Sequence, residues 1–195
     1  MLDCIQQRIT THNLHRSVKK GNASHVLKQL EAGVDPDLKS KKSGKALLHQ
    51  LADCPVNEEE AFYQAMDSDT VNFLINEAID QGADVNLPDK SGNTPLHRAI
   101  AHHLPSSPYS TEATDYLRQK QPVLFEWVCQ DFDRLIAART LLARGADVTA
   151  KNNQGKMPSD LLGPIQSNDL HRKLLAQELR FALKKKLGDS GLSLI

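Results

Sequence analysis

Three histidines, His97, His102 and His103, fall within seven residues of one another and are the first place to look for metal chemistry. A zinc-type site needs further ligands at short, regular spacing. No carboxylate or thiolate stands at ligand spacing beside these three, so they predict no metal centre. Cys129 lies close to Asp131 and Asp133, but no histidine neighbours it to act as a base. Asp131 and Asp133 are two residues apart, so on a helix their side chains diverge and cannot share a proton. Gly92 and Gly155 stand alone and cannot form a phosphate-cradling loop. The chain is therefore expected to hold no cofactor and to perform no catalysis. A pocket around Cys129 or His102 and His103 is kept as the enzymatic alternative.

What remains is shape and charge, and both rest on a repeated string. Gly82-Ala83-Asp84-Val85-Asn86 is followed by Gly92-Asn93-Thr94-Pro95-Leu96-His97. The first half returns at Gly145-Ala146-Asp147-Val148 and, weakly, at Gly33-Val34-Asp35-Pro36. The second half returns as Gly44-Lys45-Ala46-Leu47-Leu48-His49 and as Gly155-Lys156-Met157-Pro158-Ser159-Asp160. A degenerate first copy is His12-Asn13-Leu14-His15. His15 to His49 is 34 residues, His49 to His97 is 48, and His97 to Asp160 is 63. Thr94 before Pro95 starts a helix, since proline at the first helical position loses no needed N–H. Gly33, Gly82 and Gly145 each follow an apolar helical run, where a helix C-terminus turns left-handed.

These residues resemble the ankyrin repeat, whose pattern joins Gly-x-Thr-Pro-Leu-His to Gly-Ala-Asp-Val-Asn with a period of about 33 residues. The resemblance implies an all-α solenoid of stacked helix-turn-helix units. Short hairpin-like finger loops join the units, and the outer helices of the second and third repeats are extended. Its expected extent is residues 1–187, with repeats at about 8–40, 41–88 and 89–151 and a capping repeat at 152–187. Insertions at 54–69 and 104–133 account for the long spacings. Residues 188–195 are expected to be a disordered tail. Each unit buries little by itself, so stability must come from stacking.

Both insertions read as helical. Glu58 to Gln81 holds no Gly or Pro, and Phe62, Met66, Thr70, Phe73 and Leu74 recur at spacings of three and four. A single helix over 122–144 would be about 35 Å long at 1.5 Å per residue. Eight of the nine aromatics lie in residues 56–135. They pack the long helices together or, as Tyr109, Tyr116 and Trp127, anchor a partner. Residues 169–187 form a last helix, with Leu170, Leu174, Leu175, Leu179 and Phe181 expected to face the stack.

The chain of 195 residues carries 24 basic and 24 acidic side chains, so its zero net charge excludes bulk attraction to nucleic acid or membrane. The charges are nevertheless segregated. Residues 1–55 hold nine basic against five acidic, 56–135 five against fourteen, and 136–195 ten against five. Three widely separated cysteines make a disulfide framework unlikely to be intended and fit a reducing, cytoplasmic compartment. No apolar run is long enough to span a bilayer.

In ankyrin proteins the usual binding surface is formed by finger tips and exposed inner-helix positions. Carried over to this chain, the resemblance points to Arg16, Lys19, Lys20, Lys39, Lys41, Lys42, Lys90, Arg98 and His102, joined by Tyr109, Tyr116 and Trp127 from the second insertion. The expected function is non-enzymatic protein–protein interaction by a monomer, with an acidic segment of a partner on a basic finger and inner-helix groove. Nucleic acid is disfavoured because the fingers lack interleaved aromatics for stacking. The tail is also similar to translocation signals of bacterial type IV-secreted effectors, many of which carry degenerate ankyrin repeats. That likeness offers a second reading, an effector translocated into a host cell and binding a host protein.

Overall fold

Leu14, Leu48 and Leu96 occupy equivalent places in successive copies of the repeat, and all three are shut away from solvent. In the computed structural model, which describes residues 2–53, 66–102, 135–163 and 170–187, each sits on the inner helix of a helix pair. Helix α1 (Leu2–Lys19) pairs with α2 (Ala23–Glu31), and α3 (Leu47–Ala52) with α4 (Ser68–Asp80). Helix α5 (Pro95–His102) pairs with α6 (Ile136–Ala143). A 3-10 turn, η1 (Pro158–Leu162), pairs with α7 (Leu170–Leu187). No strand occurs among the described residues.

Packing between elements has the order of a solenoid. The inner row runs α1, α3, α5, η1 and the outer row α2, α4, α6, α7, each element touching the next in its row and its own partner. The core lies between the rows. Leu48, Leu51 and Ile100 come from the inner side, and Val26, Leu30, Leu74, Ile75, Leu141, Leu175 and Leu179 from the outer. A single pair would leave most of this surface wet, so the fold is cooperative through neighbour contacts.

Local chemistry sets where the outer helices begin and end. Asn22 caps α2 by accepting the His25 N–H at 3.0 Å. Asp67 caps α4, its carboxylate accepting the Thr70 N–H at 2.7 Å and the Thr70 hydroxyl at 3.0 Å. Asp67 is extended, so the helical run read from Glu58 onward is interrupted there and α4 is a helix of 13 residues. The three outer helices close alike. Val34 N–H reaches Gln29 O, Ala83 N–H reaches Ala78 O, and Ala146 N–H reaches Leu141 O, at 2.9–3.0 Å. This is the six-to-one bond of a Schellman ending.

Two aromatics lie elsewhere than their spacing suggested. The buried seam of α4 is Val71, Leu74, Ile75 and Ala78, and Phe73 is 53% exposed. The buried seam of α7 is Leu175, Leu179 and Leu183, and Phe181 is 72% exposed. At 100° per residue, Phe181 falls some 200° around the helix from Leu179. Residues 54–65 of the first insertion, the second insertion at 104–133, the start of any longer helix ahead of α6, and the 188–195 tail lie outside the described residues.

The fingers between the pairs meet backbone to backbone. Gly92 has φ +74°, and a Cβ there would lie 2.7 Å from Asn153 N in the next finger. Gly33 also has positive φ (+77°), but a Cβ there would meet nothing. Gly92→Ala is therefore expected to lose more stability than Gly33→Ala, by at least about 1 kcal/mol. Urea titration of the two variants beside the parent chain measures the difference. Equal losses would show that the fingers can separate without cost.

Candidate interaction surface

Each finger is an out-and-back turn closed by one polar residue. Asp89 accepts the N–H groups of Ser91 (2.8 Å) and Asn93 (3.0 Å). Asn152 does the same for Gln154 (2.9 Å) and Lys156 (3.1 Å). In the first finger Ser40 stands at this place, and its hydroxyl meets Ser43 alone, at the hydroxyl (3.1 Å) and the N–H (3.4 Å). That finger is one residue longer, since Gly33 to Gly44 spans eleven positions against ten for Gly82 to Gly92 and Gly145 to Gly155. The limbs are tied by Ser40 N–H to Lys45 O, Asp89 N–H to Asn93 O and Asn152 N–H to Lys156 O, each 2.9 Å.

The histidines join one repeat to the next. His97 Nε2 lies 3.0 Å from the Lys156 carbonyl, which can only accept, so Nε2 carries the proton. Its Nδ1 is then free to accept the Thr94 N–H (3.2 Å) and hydroxyl (2.8 Å). His49 repeats the arrangement, with Nε2–H to Asn93 O at 2.9 Å and Nδ1 accepting Ala46 N–H at 3.2 Å. Both rings are fully buried. Burial pushes both imidazoles below their ordinary pKa, despite the carbonyl acceptor and the nearby Asp89. A proton on Nδ1 would face N–H donors, so only the neutral ring fits. In the first repeat His15 is buried, but its Nε2 makes no hydrogen bond. A second ladder joins the finger bases, with Asp37 accepting Asp84 N–H at 3.1 Å and Asn86 accepting Asp147 N–H at 2.7 Å.

Several predicted contact residues are already engaged inside the fold. Arg98 pairs through Nε (2.9 Å) and its terminal nitrogen with Asp89, whose side chain is sealed from water. Burial alone would raise the Asp89 pKa, but Arg98 and the Ser91 and Asn93 amides outweigh it and hold the carboxyl below its ordinary value. Lys90 Nζ caps the carbonyls of Lys41 and Lys42 in the preceding finger. Lys39 Nζ donates to Pro88 O at 2.8 Å, and Lys45 pairs with Asp53. Sequence reasoning missed these ties, and it also missed Lys186 reaching from α7 to Asp147. There burial pushes the carboxyl up, but Lys186 and the Thr149 hydroxyl and amide hold it at about 2.

Other predicted residues are free. Arg16, Lys19, Lys20, Lys41 and Lys42 are exposed, and no side-chain partner engages them among the described residues. They fall in two groups. Lys41 and Lys42 stand on the first finger. Arg16, Lys19 and Lys20 close α1, with Lys19 and Lys20 roughly 6–8 Å beyond His15 towards the α1–α2 loop. His102 is the last residue of α5, and its side chain lies outside the described set, as do Tyr109, Tyr116 and Trp127. The Cys129, Asp131 and Asp133 group and His103 also fall outside it. Ser17 Oγ lies 2.6 Å from His25 Nδ1, but its hydroxyl is buried and donates to Asn13 O at 2.7 Å. That contact staples α1 to α2 and presents no nucleophile. Among the described residues no His, Cys, Asp and Glu group could hold a metal ion, and no helix is long and apolar enough to cross a membrane.

Solved structures supply a direct comparison for this geometry. The chain superposes on the ankyrin repeat domain of Bcl-3, titled a unique member of the IkappaB protein family, with a TM-score of 0.50 and 22% identity, over 86% of this chain and 50% of that one. The fold is an ankyrin-repeat solenoid. The chain is also 36% identical over 94 residues to the E3 ubiquitin-protein ligase mind-bomb of Drosophila melanogaster. That match takes in 41% of this chain and 6% of the ligase. No protein-family model matches the chain. The chain thus spans half of the solved domain and a small part of the ligase, and the likeness carries the ankyrin architecture only.

The ankyrin histidines and aspartates should titrate separately. The unfolded chain takes up protons on histidine below about pH 6.5, whereas the buried rings of His49 and His97 resist. Stability is therefore expected to fall as pH drops from 7 towards 5. Asp89 and Asp147 have depressed values, so their contribution is present at pH 5 and is lost only as pH falls through those values. The double variant His49→Gln, His97→Gln should flatten the upper step and cost about 1–3 kcal/mol per site at pH 7. Urea midpoints across pH 3–8 test this. An unchanged upper step would mean that neither ring resists protonation.

Proposed function

We propose that this chain is a non-enzymatic protein-interaction module that holds an acidic segment of another protein against its finger edge and inner-helix face. The observation that carries the reading is the division of labour among its polar groups. His49, His97, Asp89, Asn152 and Arg98 are spent on holding repeats in register. Arg16, Lys19, Lys20, Lys41 and Lys42 are exposed and serve no such purpose among the described residues. The Bcl-3 domain and the mind-bomb ligase support an ankyrin module of this kind, and their own partners and activity stay with them.

Mechanistically, such a surface works by steering and by rigidity. Exposed lysines raise the encounter rate with an acidic partner, and salt screens the effect over about 10 Å at 0.1 M. The fingers are held by backbone bonds, so little conformational entropy is lost when a partner docks. Arg98 belongs to the scaffold on this reading and not to the contact surface. Arg98→Ala should strip the sealed Asp89 of its counter-charge and destabilise the fold by roughly 3 kcal/mol.

The test uses a fluorescent peptide of alternating glutamate and serine as the acidic probe. Binding to the intact chain should weaken steadily with added salt. Lys41→Glu with Lys42→Glu should slow association about tenfold at low salt and blunt the salt dependence, with dissociation little changed. Both residues are exposed, so the fold should be unaffected by circular dichroism. Unchanged association in the double variant would remove the first finger from the binding surface.

A further inference from the structure

The spacing of the fingers sets a ruler for whatever lies across them. Within each finger the two limbs are hydrogen-bonded to one another, by Ser40 to Lys45, Asp89 to Asn93 and Asn152 to Lys156. Between fingers the returning limb of one bonds the outgoing limb of the next. Lys90 N–H donates to Ser43 O at 3.3 Å, and Asn153 N–H to Ser91 O at 3.0 Å. The edge is therefore a continuous row of chain passes bonded as neighbouring strands are, at about 4.8 Å per pass. Two passes make one finger, so the repeat along the edge is about 9.6 Å. Packing of the inner helices α1, α3 and α5 gives the same figure, since neighbouring helix axes lie about 8–10 Å apart.

Cations recur along this row. The first finger carries Lys41 and Lys42 and the third Lys151 and Lys156, all exposed; Lys90 of the second is exposed too, with its ammonium resting on the Lys41 and Lys42 carbonyls, so its charge lies between the first and second fingers. The acid at the tips, Asp89, is sealed and matched by Arg98. Large exposed apolar side chains among the described residues, Phe73, Phe181 and Leu187, stand on the outer helices α4 and α7 and not on the fingers. An amphipathic helix seated on the edge would find no apolar contact for its anchors.

Resting on the acidic-partner reading above, we infer that the finger edge takes an extended, polyproline-II-like segment with a carboxylate at every third residue. Such a chain rises about 3.1 Å per residue and presents the same face every three, or about 9.3 Å. That is close to the finger repeat of about 9.6 Å. A β-strand repeats its face every two residues, about 6.8 Å, and slips out of step at the second finger. An α-helix returns at seven residues, about 10.5 Å, but lacks apolar purchase here.

The experiment compares peptides of equal length and equal charge, each with three glutamates in a proline and serine background. The glutamates are placed every third residue, every second residue, or contiguously. The every-third peptide is expected to bind at least fivefold more tightly than the other two at low salt. Lys41→Glu with Lys42→Glu, and separately Lys151→Glu with Lys156→Glu, should each abolish that preference. Equal affinity for all three peptides overturns the register and leaves the acidic-partner reading standing. Failure of every acidic peptide to bind overturns both. A helical peptide with glutamates seven apart binding best overturns the extended conformation. Tighter binding of a single-stranded oligonucleotide or of phosphatidylserine vesicles overturns the assignment to a protein partner.

Discussion

A neutral imidazole spanning two repeats is the interaction on which the rest of the structure depends. The His97 ring accepts two hydrogens from the start of its own helix and gives one to the Lys156 carbonyl of the next finger. His49 does the same towards Asn93. Local order and repeat-to-repeat order are thereby the same bond network. Because both ring nitrogens are committed in buried surroundings, the finger that follows cannot shift without orphaning a donor. The glycine contacts, the limb-to-limb amide bonds and the aspartate–asparagine ladder are all consistent with one finger position. Hydrophobic burial stabilises the stack, and these polar bonds choose its register.

The network is uneven along the chain. The first finger has an extra residue and a serine in place of an Asp or Asn at its turn, and His15 of α1 has the Leu38 carbonyl near its ring but no well-formed Nε2 hydrogen bond. Asp37, standing where the next finger has Asn86, is a partly buried acid whose pKa is pushed up by desolvation, although the Asp84 N–H pulls it down. The first finger is nonetheless tied to the second by Lys90 N–H to Ser43 O at 3.3 Å, Lys39 Nζ to Pro88 O at 2.8 Å and Asp84 N–H to Asp37 at 3.1 Å. The same finger carries the unpaired Lys41 and Lys42.

The helix pairs were legible because their signals are local and repeat. Thr94-Pro95-Leu96-His97 states its helix start within four residues, and the glycines after each outer helix state the stops. The buried leucines followed from matching the copies. Surface roles were harder, because they depend on pairing across positions. Arg98 read as a contact residue because nothing beside it in sequence reveals that Asp89, nine positions earlier, turns inward. A signal did exist, since Asp89 aligns with Asn152, and an Asp or Asn recurring at the same turn position marks a cap. The ties of Lys90 were hidden for a similar reason. Its ammonium satisfies carbonyls about 50 positions away in a neighbouring finger, which only the stacked geometry brings close. Phe73 and Phe181 show the limit of counting apolar residues, for each lies one or two positions off a seam that is already full.

Net charge is a poor guide to what such a molecule displays. Equal numbers of acids and bases would suggest a surface without preference, yet the fold places the two signs differently. Asp89, Asp53, Asp80 and Asp147 are each taken by a basic partner in the described structure. What is left on the fingers is lysine. A lysine on an exposed turn costs little to keep, whereas Asp89 is sealed in the frame against Arg98. The ladder of polar bonds therefore does more than fix the repeats. By drawing Asp89 inward to serve as cap and counter-ion, it leaves lysine as the charged residue exposed at the described finger tips.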